Sequence, residues 1–347
     1  MIRSVHSAGI TGLGISLPPR VLSNQDIEKI VSTSDEWIRT RTGISERRIL
    51  EEGQFTSDLA TEAAERALRS AGVEPAQVDL VIVATATSDA VFPATASIVQ
   101  HRLGALNAGA FDISAACSGL MYGLATGAQF VQSGTFETVL VIGAEAMSRI
   151  LDWSDRSTCI LFGDGASAAV IQRAPAGHGF LSFSLGSDGS GANLLFLEPC
   201  DCAGLATDDH AVVNRSAIRM NGSEVFRFAV KIMVDAAHTA LKKAGLGMED
   251  VDLFVPHQAN IRILDAATRR MGIDSQRTFS NVDRYGNTSA ASIGIALAEA
   301  AAGGHLKQGD LALLVGFGAG LSWGSAVLRW HMIGEPILSD APPPRNQ

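Results

Sequence analysis

Apolar and polar positions along this chain fall into blocks that occur twice. Residues 63–80 read AAERALRSAGVEPAQVDL and residues 236–253 read AAHTALKKAGLGMEDVDL, so the second block lies 173 residues beyond the first (236 against 63). Within each block apolar residues recur every three or four positions, which predicts an amphipathic helix. Each block then runs into a short apolar stretch, VDLVIVAT or VDLFVPHQ, of strand length. The same register brings residues 138–143 (TVLVIG) onto residues 311–316 (LALLVG), a second strand closed by glycine. Between these blocks the segment after Cys117 resembles the segment after Asn287, at an offset of 170 (287 against 117). This alternation of helix and strand, made twice in one order, predicts an α/β fold of two similar halves.

Two of the predicted helices lack a polar face. No charged residue occurs from Ile113 to Phe136, and none from Thr288 to Ala298. A helix without a polar stripe must be covered on all sides. One such helix per half predicts a central helical layer between two sheets, with the charged helices outside, giving five layers, αβαβα. The halves are expected to span residues 1–175 and 176–330, divided near RAPAGHGF at 173–180, and a Pro-rich tail at 331–347 is expected to be loosely held.

Composition agrees with this layering and narrows the function. Hydrophobic residues make up 46% and charged residues 18% of 347 positions, as a large dry core requires. The formal net charge of -9 argues against a general nucleic-acid binder. No run of 18 apolar residues offers a membrane span, and the N-terminus lacks the regions of a signal peptide. Four cysteines (Cys117, Cys159, Cys200, Cys202) do not make a disulfide framework, so the expected compartment is the reducing cytoplasm.

Three positions carry candidate chemistry. Cys117, in FDISAACSGLMYG, lies where an apolar strand gives way to the first uncharged helix. There it would face unpaired N–H groups and the positive end of the helix dipole, an effect of about 1–2 kcal/mol that would lower the thiol pKa by roughly one unit. By position alone an inert core cysteine is an equal reading. His257 lies at the end of the strand VDLFVP, and Asn287, in RYGNTSAAS, opens the second uncharged helix. Singly these read as a core histidine and a helix cap. Jointly, a pseudo-twofold relation between the halves would bring thiol, imidazole and amide together. The glycine-rich turn GFGAGLSWG at 316–324 can aim N–H groups at a reacting oxygen or serve as a simple tight turn. The lone C-x-C of Cys200 and Cys202 does not make a zinc site, Cys159 reads as strand packing, and GLGIS lacks the third glycine of a dinucleotide fingerprint.

From about residue 8 to Trp330 the chain resembles the type III β-ketoacyl-acyl carrier protein synthases of bacterial fatty-acid synthesis, within the thiolase superfamily. The resemblance rests on TSDEWIRTRTGI, AACSG, FGDGA, NGSEVF, VPHQAN, GNTSAAS and GFGAGLSWG. It implies a thiolase-like fold, a homodimer, and no permanently bound cofactor, with coenzyme A thioester and malonyl-acyl carrier protein as substrates. It implies Cys117 as the acylated nucleophile, and His257 with Asn287 as the pair for decarboxylation and condensation. Backbone N–H groups of Cys117 and Ala319 would hold the oxyanion, although the family often has glycine at the latter position. Trp37 and Arg156 would hold the adenine end of coenzyme A between them, with Arg41 and Asn260 along its path. Phe92, in AVFPATAS, would enter the partner subunit's acyl pocket or make a plain dimer contact.

Arg262, Arg269 and Arg270 recur on the helix after VPHQAN, with Arg227 nearby. This basic face reads as a dock for an acidic carrier protein, against the plainer reading of a solvated helix face. The rival functions are an acyltransferase or ketosynthase of secondary metabolism and a noncatalytic partner subunit; the presence of Cys117, His257 and Asn287 together argues against both. The segment 198–214 is expected to shape the acyl pocket.

Overall fold

The computed structural model describes residues 6–197 and 217–338. Its first sheet is built from β1 (Ala8–Ser16), β2 (Leu80–Ala84), β3 (Gly109–Ile113), β4 (Val139–Glu145) and β5 (Gly165–Arg173), in the order β1-β5-β4-β2-β3. The second contains β6 (Gly179–Ser187), β7 (Leu253–Pro256), β8 (Leu311–Gly318) and β9 (Ser322–Arg329), in the order β7-β8-β9-β6. Strand senses match as well: β2 runs parallel to β4 as β7 does to β8, and the remaining neighbours corresponding to β4-β5-β1 are antiparallel in both sheets. The counterpart of β3 is reduced to a single parallel bridge from Phe254 to Thr278.

Helices α1 (Thr56–Ala71) and α2 (Thr95–Leu103) cover the outer face of the first sheet; α4 (Gly222–Ala244) and α5 (Ile261–Met271) cover that of the second. Between the sheets lie α3 (Gly119–Gln132) and α6 (Ser292–Ala302), each touching strands of both. These are the two helices predicted without a polar face, and the expected five layers are present. The largest apolar cluster fills this central layer, joining Leu120, Met121 and Leu124 of α3 to Ile293, Ile295 and Leu297 of α6.

One alignment is corrected. Both central helices are entered through a single tight turn, residues Ala116–Ser118 and Ser289–Ala291, and these turns stand 173 residues apart (289 against 116), like the rest of the repeat. The counterpart of Cys117 is therefore Ala290; Asn287 lies three residues earlier. The turns pack on each other, and Ala116 (φ 44°) and Ser289 (φ 47°) are the non-glycine residues in the left-handed region among the described residues. Gly143 lies beneath this contact: a Cβ there would stand 2.4 Å from the Ala290 carbonyl oxygen. Because that obstacle is backbone, Gly143→Ala should destabilise the protein by about 1–3 kcal/mol, read as a lower thermal midpoint.

The tail is also corrected. Residues 331–338 are not loose: Ile337 exchanges backbone hydrogen bonds with Leu13 (3.0 Å) and Ile15 (3.1 Å), Ser70 donates to the Glu335 carbonyl (2.6 Å), and Met332 is buried. The apolar Met332 and Ile337 anchor what Pro content alone suggested was free. Residues 339–347 lie outside the described residues, as do segment 198–214, Cys200 and Cys202. Cys159 sits in the helical turn Arg156–Cys159 rather than in a strand, buried against Ile38 and Ile44. Among the described residues no helix is long and apolar enough to cross a membrane.

Candidate active site

Cys117 enters from the turn before α3, His257 directly follows β7, and Asn287 lies at the approach to α6; the three line one cavity of about 660 Å³. All three are buried, with exposures of 7%, 1% and 7%. The site therefore lies between the halves, where strand end and helix entries converge.

His257 is held by its backbone N–H to the Val315 carbonyl (2.8 Å), by Phe317 edge-on at 5.2 Å, and by Nδ1 to the Ser292 hydroxyl (2.6 Å). Ser292 has no other acceptor among the described residues, so we assign its proton to the bond with Nδ1; the neutral ring then carries its own proton on Nε2. Burial pushes the imidazole down to about 3, which keeps it neutral at physiological pH. Asn287 spends Oδ1 on the Ser289 amide (2.8 Å), leaving Nδ2 as a donor. A neutral imidazole and an amide can together present two N–H groups to a developing oxyanion.

The thiol contradicts the sequence-based expectation. Burial pushes Cys117 up to about 12, and the charge of Glu145 adds to the rise, while hydrogen bonds from Ser289 and the backbone oppose it. The helix-entry effect is present but is outweighed by desolvation. Sequence reasoning could place the cysteine at the helix start but not its depth.

The glycine-rich turn lies directly against the nucleophile's turn. A Cβ on Gly318 would stand 2.7 Å from the Cys117 amide nitrogen. Ser322 donates to the Ala319 carbonyl (2.7 Å) and meets Ser118 Oγ (2.8 Å), tying the two turns together. Neither the Cys117 nor the Ala319 N–H donates to a described residue outside its own turn. Ala319 is accommodated without positive φ, which falls on Gly320 instead (138°).

At the cavity's outer end stand Trp37 and Arg41, from the helix Asp35–Thr42, and Asn260. Asn260 caps α5 through the Arg262 amide (2.9 Å) and donates to the Arg41 carbonyl (3.2 Å). Arg156 lies with its guanidinium 4.6 Å from the Trp37 ring centre and donates to the Ser32 carbonyl (3.1 Å). A base held between these two side chains requires the guanidinium to swing off the ring. Arg227 and Arg262 line the same cavity; Arg227 pairs with Glu224, and Arg262 lies 5.8 Å from the Phe226 ring centre. Arg269 and Arg270 are exposed in the last turn of α5 and do not line it.

A second, apolar cavity of about 80 Å³ opens on the other side of Cys117, lined by Ala86, Met147, Phe162, Leu195 and Ile218 among others. Phe92 lines neither cavity and is 83% exposed. Sequence reasoning missed Glu145, wholly buried at the end of β4, and its partner Ser289, which also faces the small cavity. The available signal was an acid closing the otherwise apolar strand VLVIGAE.

Residues 111–189 match the family model described as 3-oxoacyl-[acyl-carrier-protein (ACP)] synthase III, and residues 241–330 match that of its C-terminal part. The β-ketoacyl-[acyl-carrier-protein] synthase III of Caldanaerobacter subterraneus is 53% identical over 93% of this chain and 98% of its own length. The crystal structure of the corresponding synthase III from Thermus thermophilus superposes with a TM-score of 0.87 at 52% identity, covering 93% of this chain and 99% of that one. That of 3-oxoacyl-[acyl-carrier-protein] synthase III from Aquifex aeolicus gives 0.86 at 47% identity, covering 93% and 100%. With this likeness along nearly the whole chain, the protein belongs to the β-ketoacyl-[acyl-carrier-protein] synthase III family and is a condensing acyltransferase of the initiating step of fatty-acid synthesis.

Proposed function

We propose that the enzyme joins an acyl-CoA primer to malonyl-acyl carrier protein, releasing carbon dioxide and coenzyme A and forming a 3-oxoacyl-acyl carrier protein. The observation that carries this is Cys117 standing between two cavities, a long one shared with His257 and Asn287 and a short apolar one behind it. Cys117 attacks the primer thioester, coenzyme A leaves through the long cavity, and the acyl group occupies the short one. The malonyl thioester then enters by the same route, and its carbonyl takes hydrogen bonds from His257 Nε2 and Asn287 Nδ2 as carbon dioxide departs. The carbanion attacks the acyl-Cys117 carbonyl, whose oxyanion lies against the Cys117 and Ala319 N–H groups.

The remaining assignments follow the same reading. Trp37, Arg41, Arg156 and Asn260 hold coenzyme A, and Arg227 and Arg262 at the long cavity, with Arg269 and Arg270 further along α5, receive the acidic carrier protein. The chain works as a cytoplasmic homodimer in which exposed Phe92 meets the partner subunit. The two halves divide at residues 175 and 176.

A cavity of about 80 Å³ suits a primer of only a few carbons. In a panel of acyl-CoA thioesters, short acyl groups should therefore add their mass to the intact protein fastest, and subsequent malonyl-acyl carrier protein should remove that mass. If no acyl-CoA adds mass to the wild-type enzyme, the reading fails.

A further inference from the structure

The condensation as described leaves one buried acid unused. Glu145 accepts hydrogen bonds from the Ala86 amide (3.1 and 3.2 Å to its two oxygens), Thr87 Oγ1 (2.7 Å), Thr85 Oγ1 (3.3 Å) and the Ser289 hydroxyl (2.9 Å). The Ala290 amide completes this set, and no cation contributes to it. On its other side, Ser289 lies within hydrogen-bonding reach of the Cys117 thiol. Thr85, Ala86 and Thr87 come from the segment after β2, while Ser289 and Ala290 come from the turn before α6. Of the groups packed on Glu145 and on the thiol, only these two acids interact by charge.

We propose that Cys117 and Glu145 share one proton, passed through the Ser289 hydroxyl, so that the nucleophile sheds and regains its proton inside the buried site. Glu145 thus acts on the nucleophile through Ser289, as a positioning residue that also stores the proton. Two adjacent anions cannot both persist in so dry a place, so the pair titrates as a unit. Burial pushes the carboxyl up to about 7 and the thiol up to about 12, which leaves one negative charge on the pair across the neutral and mildly alkaline range. Moving the proton within the pair relocates that charge. Handing it to His257, held neutral by burial, would instead create a separated thiolate and imidazolium.

The step balances as follows. The Cys117 proton passes to Ser289 Oγ while the Ser289 hydroxyl proton passes to Glu145 Oε1. Sulfur uses its freed electron pair to bond the acyl carbon; the coenzyme A sulfur leaves with the pair of the broken C–S bond and takes a proton from solvent. When condensation later expels Cys117, the proton on Glu145 returns along the same path.

This inference rests on Cys117 as the nucleophile, and iodoacetamide alkylation of Cys117 tests it without acyl-CoA. The rate is followed by mass spectrometry of the Cys117 peptide, so that other cysteines do not contribute. In the wild-type enzyme the rate should rise with pH to about 7 and then stay level within about threefold between about pH 7.5 and 9.5. In Glu145→Gln it should climb about tenfold per pH unit across that range, as a lone thiol of high pKa does. A merely structural role for Glu145 would change the rate without changing the shape of this profile. A wild-type rate that climbs tenfold per unit between those limits, or a level region that survives in Glu145→Gln, overturns the proposal. Should Glu145→Gln fail to fold, Glu145→Asp keeps a carboxyl and must keep a level region; its loss there also overturns it. A level profile in an enzyme that accepts no acyl group would sink the functional reading and leave the shared proton standing; acyl transfer with no level region would do the reverse.

Discussion

Cys117→Ala should take up no acyl group from any coenzyme A thioester, and turnover should fall by on the order of 10⁴–10⁶, the scale seen when a nucleophile is removed. The fold should survive. Cys117 is 7% exposed and faces cavities on two sides, so the loss of one sulfur atom should cost about 1 kcal/mol or less. Nothing nearby can substitute. Cys159, the other described cysteine, lies in a different apolar cluster and is itself pushed up to about 11 by burial. The measurement is intact mass before and after incubation with the best primer. An acyl adduct on the alanine variant would move the nucleophile elsewhere and undo the assignment.

His257→Ala and Asn287→Ala should separate the two half-reactions. Transfer from coenzyme A to Cys117 uses the thiol and backbone N–H groups, so it should slow only several-fold. Decarboxylation draws on the side-chain donors, and losing either should cost about 10²–10³ in rate. Rapid-quench acylation and carbon dioxide release, measured on the same preparations, distinguish this from a general loss; equal loss of both would refute the division of roles. The pH profile adds a sign. Because burial holds His257 down to about 3, it is neutral throughout the neutral range, and wild-type decarboxylation should show no inflection near pH 6.5 from this ring.

Much of the architecture was legible because the repeat is written in spacing. The blocks 173 residues apart became matching helices and strands, and the two charge-free segments became the middle layer. Where letters and geometry disagreed, the reason is local. Cys117 and Asn287 were aligned by the small residues that follow them, whereas the backbone aligns the two tight turns, and the extra residues after Asn287 lengthen the approach to α6. The thiol's raised pKa was not legible, because desolvation depends on two sheets closing over Cys117. Glu145 was missed for a related reason: Thr85 to Thr87 stand about sixty positions before it and Ser289 lies 144 after it. No window of sequence contains that cluster.

The middle layer also sets a timetable for making the protein. Helix α3 ends at Gln132, and its apolar partner α6 is complete only at Ala302. At ribosomal speeds of about 5–20 residues per second, that gap lasts roughly 10–30 s. Throughout it, the first sheet is finished on one side and bare on the other, with a charge-free helix lying on it and no second sheet to cover it. The nascent chain carries its most adhesive surface for longest. Its safe production depends on whatever shields that surface at the ribosome exit as much as on the final stability of the fold.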